Sequence, residues 1–161
     1  MIIQGRALRM GDDIDTDIII PGRYLTTTDA EKLARHCFED LGPPYKDRLG
    51  PESVIVAGKN FGCGSSREHA AVALKATGVR AIIAVSFARI FFRNAISLGL
   101  PTVQASIEVP DGAGLEIDFD KGVIRDENGA ILGDFPPYPP SVKQIVEAGG
   151  LVNYVKQRLG R

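Results

Sequence analysis

The residues able to do chemistry concentrate in one stretch, Gly58-Lys59-Asn60-Phe61-Gly62-Cys63-Gly64-Ser65-Ser66-Arg67-Glu68-His69-Ala70-Ala71. Glycines permit left-handed turns and let the backbone come close to a ligand. Two adjacent hydroxyls and a guanidinium follow, and a guanidinium is a planar cation that holds a carboxylate through two hydrogen bonds. Ser65 and Glu68 have S-x-x-E spacing, which predicts a capping box and a helix beginning near Ser66. The free N–H groups and dipole of a helix start favour an anion. The combination describes a corner for a small carboxylate or phosphate. A serine here serves equally well as a plain cap. To act as a base it needs electropositive neighbours, and Arg67 and the helix start would provide them. The pattern is neither a Walker loop, nor GxGxxG, nor the GxSxG elbow.

Other polar residues are more ambiguous. Asp12-Asp13-Ile14-Asp15-Thr16-Asp17 reads either as a solvated acidic loop or as part of a site. His69 reads as a hydrogen-bonded structural histidine, and His36 as a mid-helix surface residue. Arg89 and Arg93 share a helix face at i, i+4 spacing, free to meet a partner or Asp17, or to lie along the surface. Cys63 lies near a helix start, which lowers a thiol pKa, but nothing marks it as a nucleophile.

The elements that must hold these residues follow from periodicity and punctuation. Ile2–Met10 reads as a strand. Thr28 or Asp29 can cap a helix over 30–40, with Leu33 and Cys37 on its apolar face, and Gly42-Pro43-Pro44 ends it. Ser53–Ala57 is a short apolar strand running directly into the glycine loop. A second buried strand, 81–85, leads to a helix over 87–98 with Ser86 as its cap, and Thr102–Gln104 is a third strand. This alternation predicts an α/β domain with a short parallel sheet and crossover helices. From about 107 to 132 the pattern turns β-rich, with a hairpin signal at Asn128-Gly129, and predicts a second layer or small barrel. The prolines of 135–140 form a stiff connector. Ser141 can cap a helix over 142–148, and Gly149-Gly150 separates it from a last helix over 151–159. No linker divides the chain, so residues 1–161 are expected to form a single domain.

Composition narrows the function. The chain has 161 residues and a formal net charge of −1, against the basic stripe of a nucleic-acid binder. No apolar run is long enough to span a membrane, and the N-terminus turns acidic before a signal-peptide stretch can form, so a cytoplasmic location is expected. Two cysteines, Cys37 and Cys63, are too few to hold an iron–sulfur cluster or a four-thiolate zinc site alone.

Asn60-Phe61-Gly62-Cys63-Gly64-Ser65-Ser66-Arg67-Glu68-His69-Ala70 resembles the signature of the mobile swivel domain of the aconitase family. Within that family it is most similar to the free-standing small subunits of the 3-isopropylmalate dehydratase and homoaconitase type. Three more segments carry the resemblance in the same order: Asp15-Thr16-Asp17-Ile18-Ile19-Ile20-Pro21, Ser86-Phe87-Ala88-Arg89-Ile90-Phe91-Phe92-Arg93-Asn94-Ala95, and Gly99-Leu100-Pro101.

The resemblance implies a three-layer swivel-type fold and a hydro-lyase that isomerises a hydroxy di- or tricarboxylate by dehydration and rehydration. It implies a large partner subunit bearing a [4Fe–4S] cluster, with no metal or cofactor held by this chain. By motif position, Ser65 would be the proton-abstracting base, Ser66 and Arg67 would bind substrate carboxylate, and Asp17 would join an acidic–histidine pairing that supports the site. The segment Tyr24-Leu25-Thr26-Thr27 would lie near the variable part of the substrate, with Thr26 and Thr27 binding it. They carry no cation for a further carboxylate, which favours 3-isopropylmalate or a similar alkyl-malate over homoaconitate. A dimethylmalate-type hydratase, or a stand-alone anion-binding module without catalysis, is the competing reading.

Overall fold

The computed structural model describes residues 1–160. Its centre is one seven-stranded sheet of order β4-β3-β2-β1-β5-β6-β7. The strands are β1 (Ile2–Arg9), β2 (Ser53–Ala57), β3 (Ala81–Ala84), β4 (Thr102–Gln104), β5 (Gly114–Asp118), β6 (Val123–Asp126) and β7 (Ile131–Asp134). β1 to β4 run parallel, with Leu8 beside Ile55 and Val56 beside Ile83. β1 also pairs antiparallel with β5, and β5 to β7 continue as antiparallel hairpins.

The β-rich stretch therefore extends the same sheet rather than lying on it as a separate layer. β1 supplies both of its edges, one to β2 and one to β5. Strand alternation then sorts the core onto two faces. Leu8, Ile55, Ala57, Ile82 and Ala84 point to one face. Val54, Val56, Ala81, Ile83, Leu115, Ile117 and Ile124 point to the other. Chain 105–109 and the proline connector close the second face, through Ala105, Val109, Phe135 and Tyr138. Tyr138 pins the connector by bonding both the carbonyl and the amide of Thr102.

Helices cover the first face: α1 (Thr16–Ile19), α2 (Ala30–Arg35), α3 (Pro43–Lys46), α4 (His69–Ala76) and α5 (Arg89–Ser97). α4 and α5 are the expected crossovers. α6 (Pro140–Glu147) and α7 (Leu151–Arg158) pack against α5.

Several boundaries differ from expectation, each for a local reason. Asp29 caps α2, which stops at Arg35 because Phe38 adopts a left-handed conformation and the chain turns into a short 3₁₀ segment, Glu39–Leu41. α5 begins at Arg89 because the amide of Ala88 is spent on the carbonyl of Phe61, and Ser86 accepts from Asn60 instead of capping. α6 starts on Pro140, whose missing N–H suits a first turn, so Ser141 lies inside it and caps nothing.

Candidate active site

Three loops leave the carboxyl ends of β1, β2 and β3, where α/β sheets usually carry their ligands. They are bonded into one assembly. The 10–16 loop runs beside the glycine loop: Gly58 N–H donates to Gly11 O (3.1 Å), Asp13 N–H to Lys59 O (2.8 Å), Gly62 N–H to Ile14 O (2.8 Å) and Thr16 N–H to Cys63 O (2.8 Å). Asp12 accepts from the Lys59 amide at 2.7 Å, and Asp13 from the Asn60 side chain at 3.1 Å. On the other flank Phe61 N–H donates to Ser86 O at 3.0 Å and Ala88 N–H to Phe61 O at 2.9 Å. The Asp12–Asp17 stretch is thus structural along its first half.

Two glycines show why the loop needs them. A Cβ on Gly58 would lie 1.8 Å from Asp12 Oδ1. A Cβ on Gly62 would lie 2.2 Å from Phe91 Cγ, and Gly62 also has φ of +81°. Beneath this loop Phe61 meets Phe87 and Phe91 edge to face, with Phe61 and Phe91 buried.

The zipper stops at Ser65, whose amide donates to the buried Thr16 Oγ1 at 3.0 Å. Beyond it Ser65, Ser66, Arg67 and Glu68 are all exposed. The predicted capping box does not form. Ser65 Oγ accepts from the Arg67 amide at 3.2 Å, two residues on, and α4 begins only at His69 without a side-chain cap. The amides of the first turn are therefore left for another acceptor, and Ser65 Oγ receives an N–H that favours its anionic form. Arg67 forms no ion pair among the described residues.

Thr16, Asp17, Ile20, Leu25, Ser65, Arg67, His69 and Ala70 line one narrow crevice. The structure thus brings Ser65, Arg67 and Asp17 together. Ser66 is beside them in sequence and exposed, outside the crevice lining. Thr26 and Thr27 are also outside it; Thr27 Oγ1 accepts from the Asp29 amide at 3.1 Å. The 22–27 loop instead turns Leu25 inward. Sequence reasoning placed Leu25 near the substrate only as part of the 24–27 segment and missed Thr16 and Ile20, whose burial no local pattern announces.

His69 departs from expectation: neither ring nitrogen, both buried, has a hydrogen-bond partner, and no bond to Asp17 forms. His36 lies at the end of α2, not mid-helix, and faces Glu39. The Cys63 thiol is pushed up, first by burial and then by Asp15 and Asp13, and α4 begins only at His69, too far on to lower it. Arg89 and Arg93 are exposed and unpaired among the described residues. A larger groove lies elsewhere, at the opposite end of the strands among Arg6, Glu52, Arg80, Glu116 and Glu127, and holds none of these motifs. Among the described residues no group of three or more His, Cys, Asp and Glu is placed to hold a metal.

A doubly bonded glycine loop, presenting serines and an arginine beside an aspartate at the strand ends, defines a class. The chain belongs to the aconitase C-terminal domain family, whose profile matches residues 10–108, a span containing all three loops. More narrowly, it is similar to the 3-isopropylmalate dehydratase small subunit of Moorella thermoacetica, 51% identical over 162 residues, covering 99% of this chain and 98% of that protein. The 3-isopropylmalate dehydratase small subunit 1 of Archaeoglobus fulgidus is 50% identical over 154 residues, 94% of this chain and 96% of that protein. Among solved structures, a 3-isopropylmalate dehydratase from Methanocaldococcus jannaschii matches with a TM-score of 0.88 and 50% identity, over 99% of this chain and 96% of that one.

Proposed function

We propose that this chain is the small subunit of a two-subunit hydro-lyase acting on 3-isopropylmalate, a step of leucine biosynthesis. The observation that supports it best is the exposed Ser65–Arg67 segment held at the crevice by the three-loop assembly, in a chain about half identical to small subunits of that name along nearly its whole length.

In this reading Arg67 forks one substrate carboxylate. Ser66 and the free amides of α4 take its remaining lone pairs. Ser65 Oγ, favoured as the alkoxide by the Arg67 amide and guanidinium, takes the carbon-bound proton and becomes a neutral hydroxyl, while the negative charge passes to the substrate, whose carboxylate Arg67 holds. Asp17 supports the site from the facing wall. Leu25, backed by the buried Ile20, offers apolar surface to the alkyl group, a better match than the two threonines. Arg23, the cation within that loop, is engaged by Glu39 and Asp40 and is not available for a further carboxylate. This favours the alkyl-malate over homoaconitate.

The [4Fe–4S] cluster belongs, in this reading, to the large subunit, where it would supply Lewis acidity. The described residues here offer it no ligand set, and this chain's part is confined to the organic substrate. No described helix is long and apolar enough to cross a membrane. The test is assembly of the purified chain with a cluster-loaded large subunit: hydration activity on the 3-isopropylmalate couple, absent from either subunit alone, is expected. Activity only on homoaconitate, or on neither, would overturn the assignment.

A further inference from the structure

The loop that turns Leu25 into the crevice has few backbone ties. Its amide bonds are local: Tyr24 N–H to Pro21 O at 3.0 Å, Leu25 N–H to Gly22 O at 3.2 Å and Thr27 N–H to Tyr24 O at 3.4 Å. Its polar attachments to the rest of the molecule are made by side chains. Arg23 reaches Glu39 Oε2 at 2.8 Å and grips Asp40 with both Nη atoms, at 2.7 and 3.3 Å. The Tyr24 hydroxyl donates to the same Glu39 oxygen. The Tyr24 ring stacks on His36 with centroids 3.8 Å apart and planes 6° from parallel, and Arg23 lies 5.0 Å from the centre of the Tyr24 ring.

His36 Nδ1 is 3.0 Å from Glu39 Oε1. A carboxylate only accepts, so Nδ1 carries the hydrogen. Glu39 thus gathers three donors from two segments, and the Tyr24 hydroxyl, His36 and Arg23 together hold its carboxyl down to a pKa of about 2.

The carboxylate is itself well placed to serve as an anchor. Phe38, just before it, is fully buried with φ of +56°, and its amide donates to Ile19 O at 2.9 Å. A bulky side chain keeps that left-handed conformation only where its surroundings demand it. Ile19 ends α1, whose first residues are Thr16 and Asp17 of the crevice. Leu25 is therefore referenced, through Tyr24, Glu39 and Phe38, to the helix that carries the opposite wall.

We propose that Arg23, Tyr24, His36 and Glu39 form a latch that fixes the 22–27 loop with Leu25 toward the crevice, making them positioning residues for the substrate's alkyl end. The assignment of that end to an alkyl-malate rests on the function proposed above; the latch itself does not. Isolated exposed ion pairs contribute little stability. What this network governs is where one short loop sits, so its loss acts on loop order and substrate affinity more than on global unfolding.

The test has two arms. In the first, amide hydrogen exchange is followed in the full-length subunit as wild type, Glu39→Ala and Tyr24→Phe. The amides of Leu25 and Thr27 are expected to exchange about tenfold faster in Glu39→Ala, with the β1–β3 amides unchanged. Tyr24→Phe, which keeps the stacking and loses the hydroxyl, should fall between. In the second arm, with the large subunit present, Glu39→Ala should raise KM for 3-isopropylmalate about tenfold while kcat stays within about twofold. Glu39→Gln, which still offers an acceptor to Tyr24, should recover part of that affinity. Unchanged exchange in the loop, or a parallel fall of kcat with thermal stability, overturns the latch. If wild type shows no activity on 3-isopropylmalate, the functional assignment fails, while the exchange arm still decides the latch.

Discussion

The glycine loop and the 22–27 loop border the same crevice and are held in opposite ways. Residues 58–65 are bonded along both flanks by backbone amides and by Asp12, Thr16 and Ser86. Residues 22–27 are tied by Arg23 and Tyr24 side chains to Glu39, Asp40 and His36. Backbone ladders with glycines at crowded positions give a rigid platform, suited to groups that must meet reacting atoms within a fraction of an ångström. Side-chain ties give a loop whose position can change by substitution without loss of the fold. In the proposed reading the reacting groups sit on the first kind of support and the apolar wall on the second, as an enzyme would need if chemistry is constant and substrate shape varies.

The strongest way to break this contrast is Gly62→Ala. The new methyl would meet Phe91 at 2.2 Å with the backbone at φ +81°, so relief must come from the loop or from the phenylalanine cluster beneath it. A loss of about 3 kcal/mol or more is expected in chemical denaturation. Near-wild-type stability would show the platform to be less tightly packed than its geometry implies. Next in size is Arg67→Lys on the same platform. An ammonium cannot reproduce the fork, and kcat/KM should fall about thirtyfold, near 2 kcal/mol, with unfolding unchanged. Unaltered kinetics would remove Arg67 from substrate binding.

The smallest effect concerns the side-chain-held loop and acid. The Glu39 carboxyl is lowered from its ordinary value near 4.5 to about 2, first by the Tyr24 hydroxyl, then by His36 and Arg23. A carboxylate depressed in the folded state stabilises above its unfolded pKa and loses that contribution as pH falls toward the folded one. Loop protection at Leu25 and Thr27 should therefore persist at neutral pH and decline between about pH 4.5 and 2. Glu39→Gln should abolish that slope. An identical acid profile in the variant would mean that other carboxylates control the loop.

The contrast also explains what was legible from sequence. The platform is encoded locally: glycines and two serines at fixed spacing, between a β-run and a helix, mark Ser65 and Arg67 as candidates, while Asp17 enters only through the family resemblance; the structure brings the three to one crevice. The side-chain-held loop is encoded by residues 15 or so positions apart whose meeting depends on the left-handed turn at Phe38, which no pattern announces. Hence Thr26 and Thr27 were chosen where Leu25 faces inward, and His36 was read as a bare surface residue. The missing cap has a similar cause. S-x-x-E spacing predicts a capping box only when Ser65 is free to make it, and here its amide is spent on Thr16 and its hydroxyl on the Arg67 amide. The sheet shows the same limit at larger scale. Alternation identified β5 to β7 as strands, but only β1, pairing on both edges, decides that they extend the parallel sheet.

The central claim is that Ser65 acts on substrate from the end of the platform. It is tested most directly by Ser65→Ala assembled with the cluster-bearing large subunit and assayed on 3-isopropylmalate. Turnover should fall by about a hundredfold or more, as expected on losing a general base, while the variant subunit folds and assembles as before. Turnover equal to wild type in a correctly assembled enzyme would contradict the account.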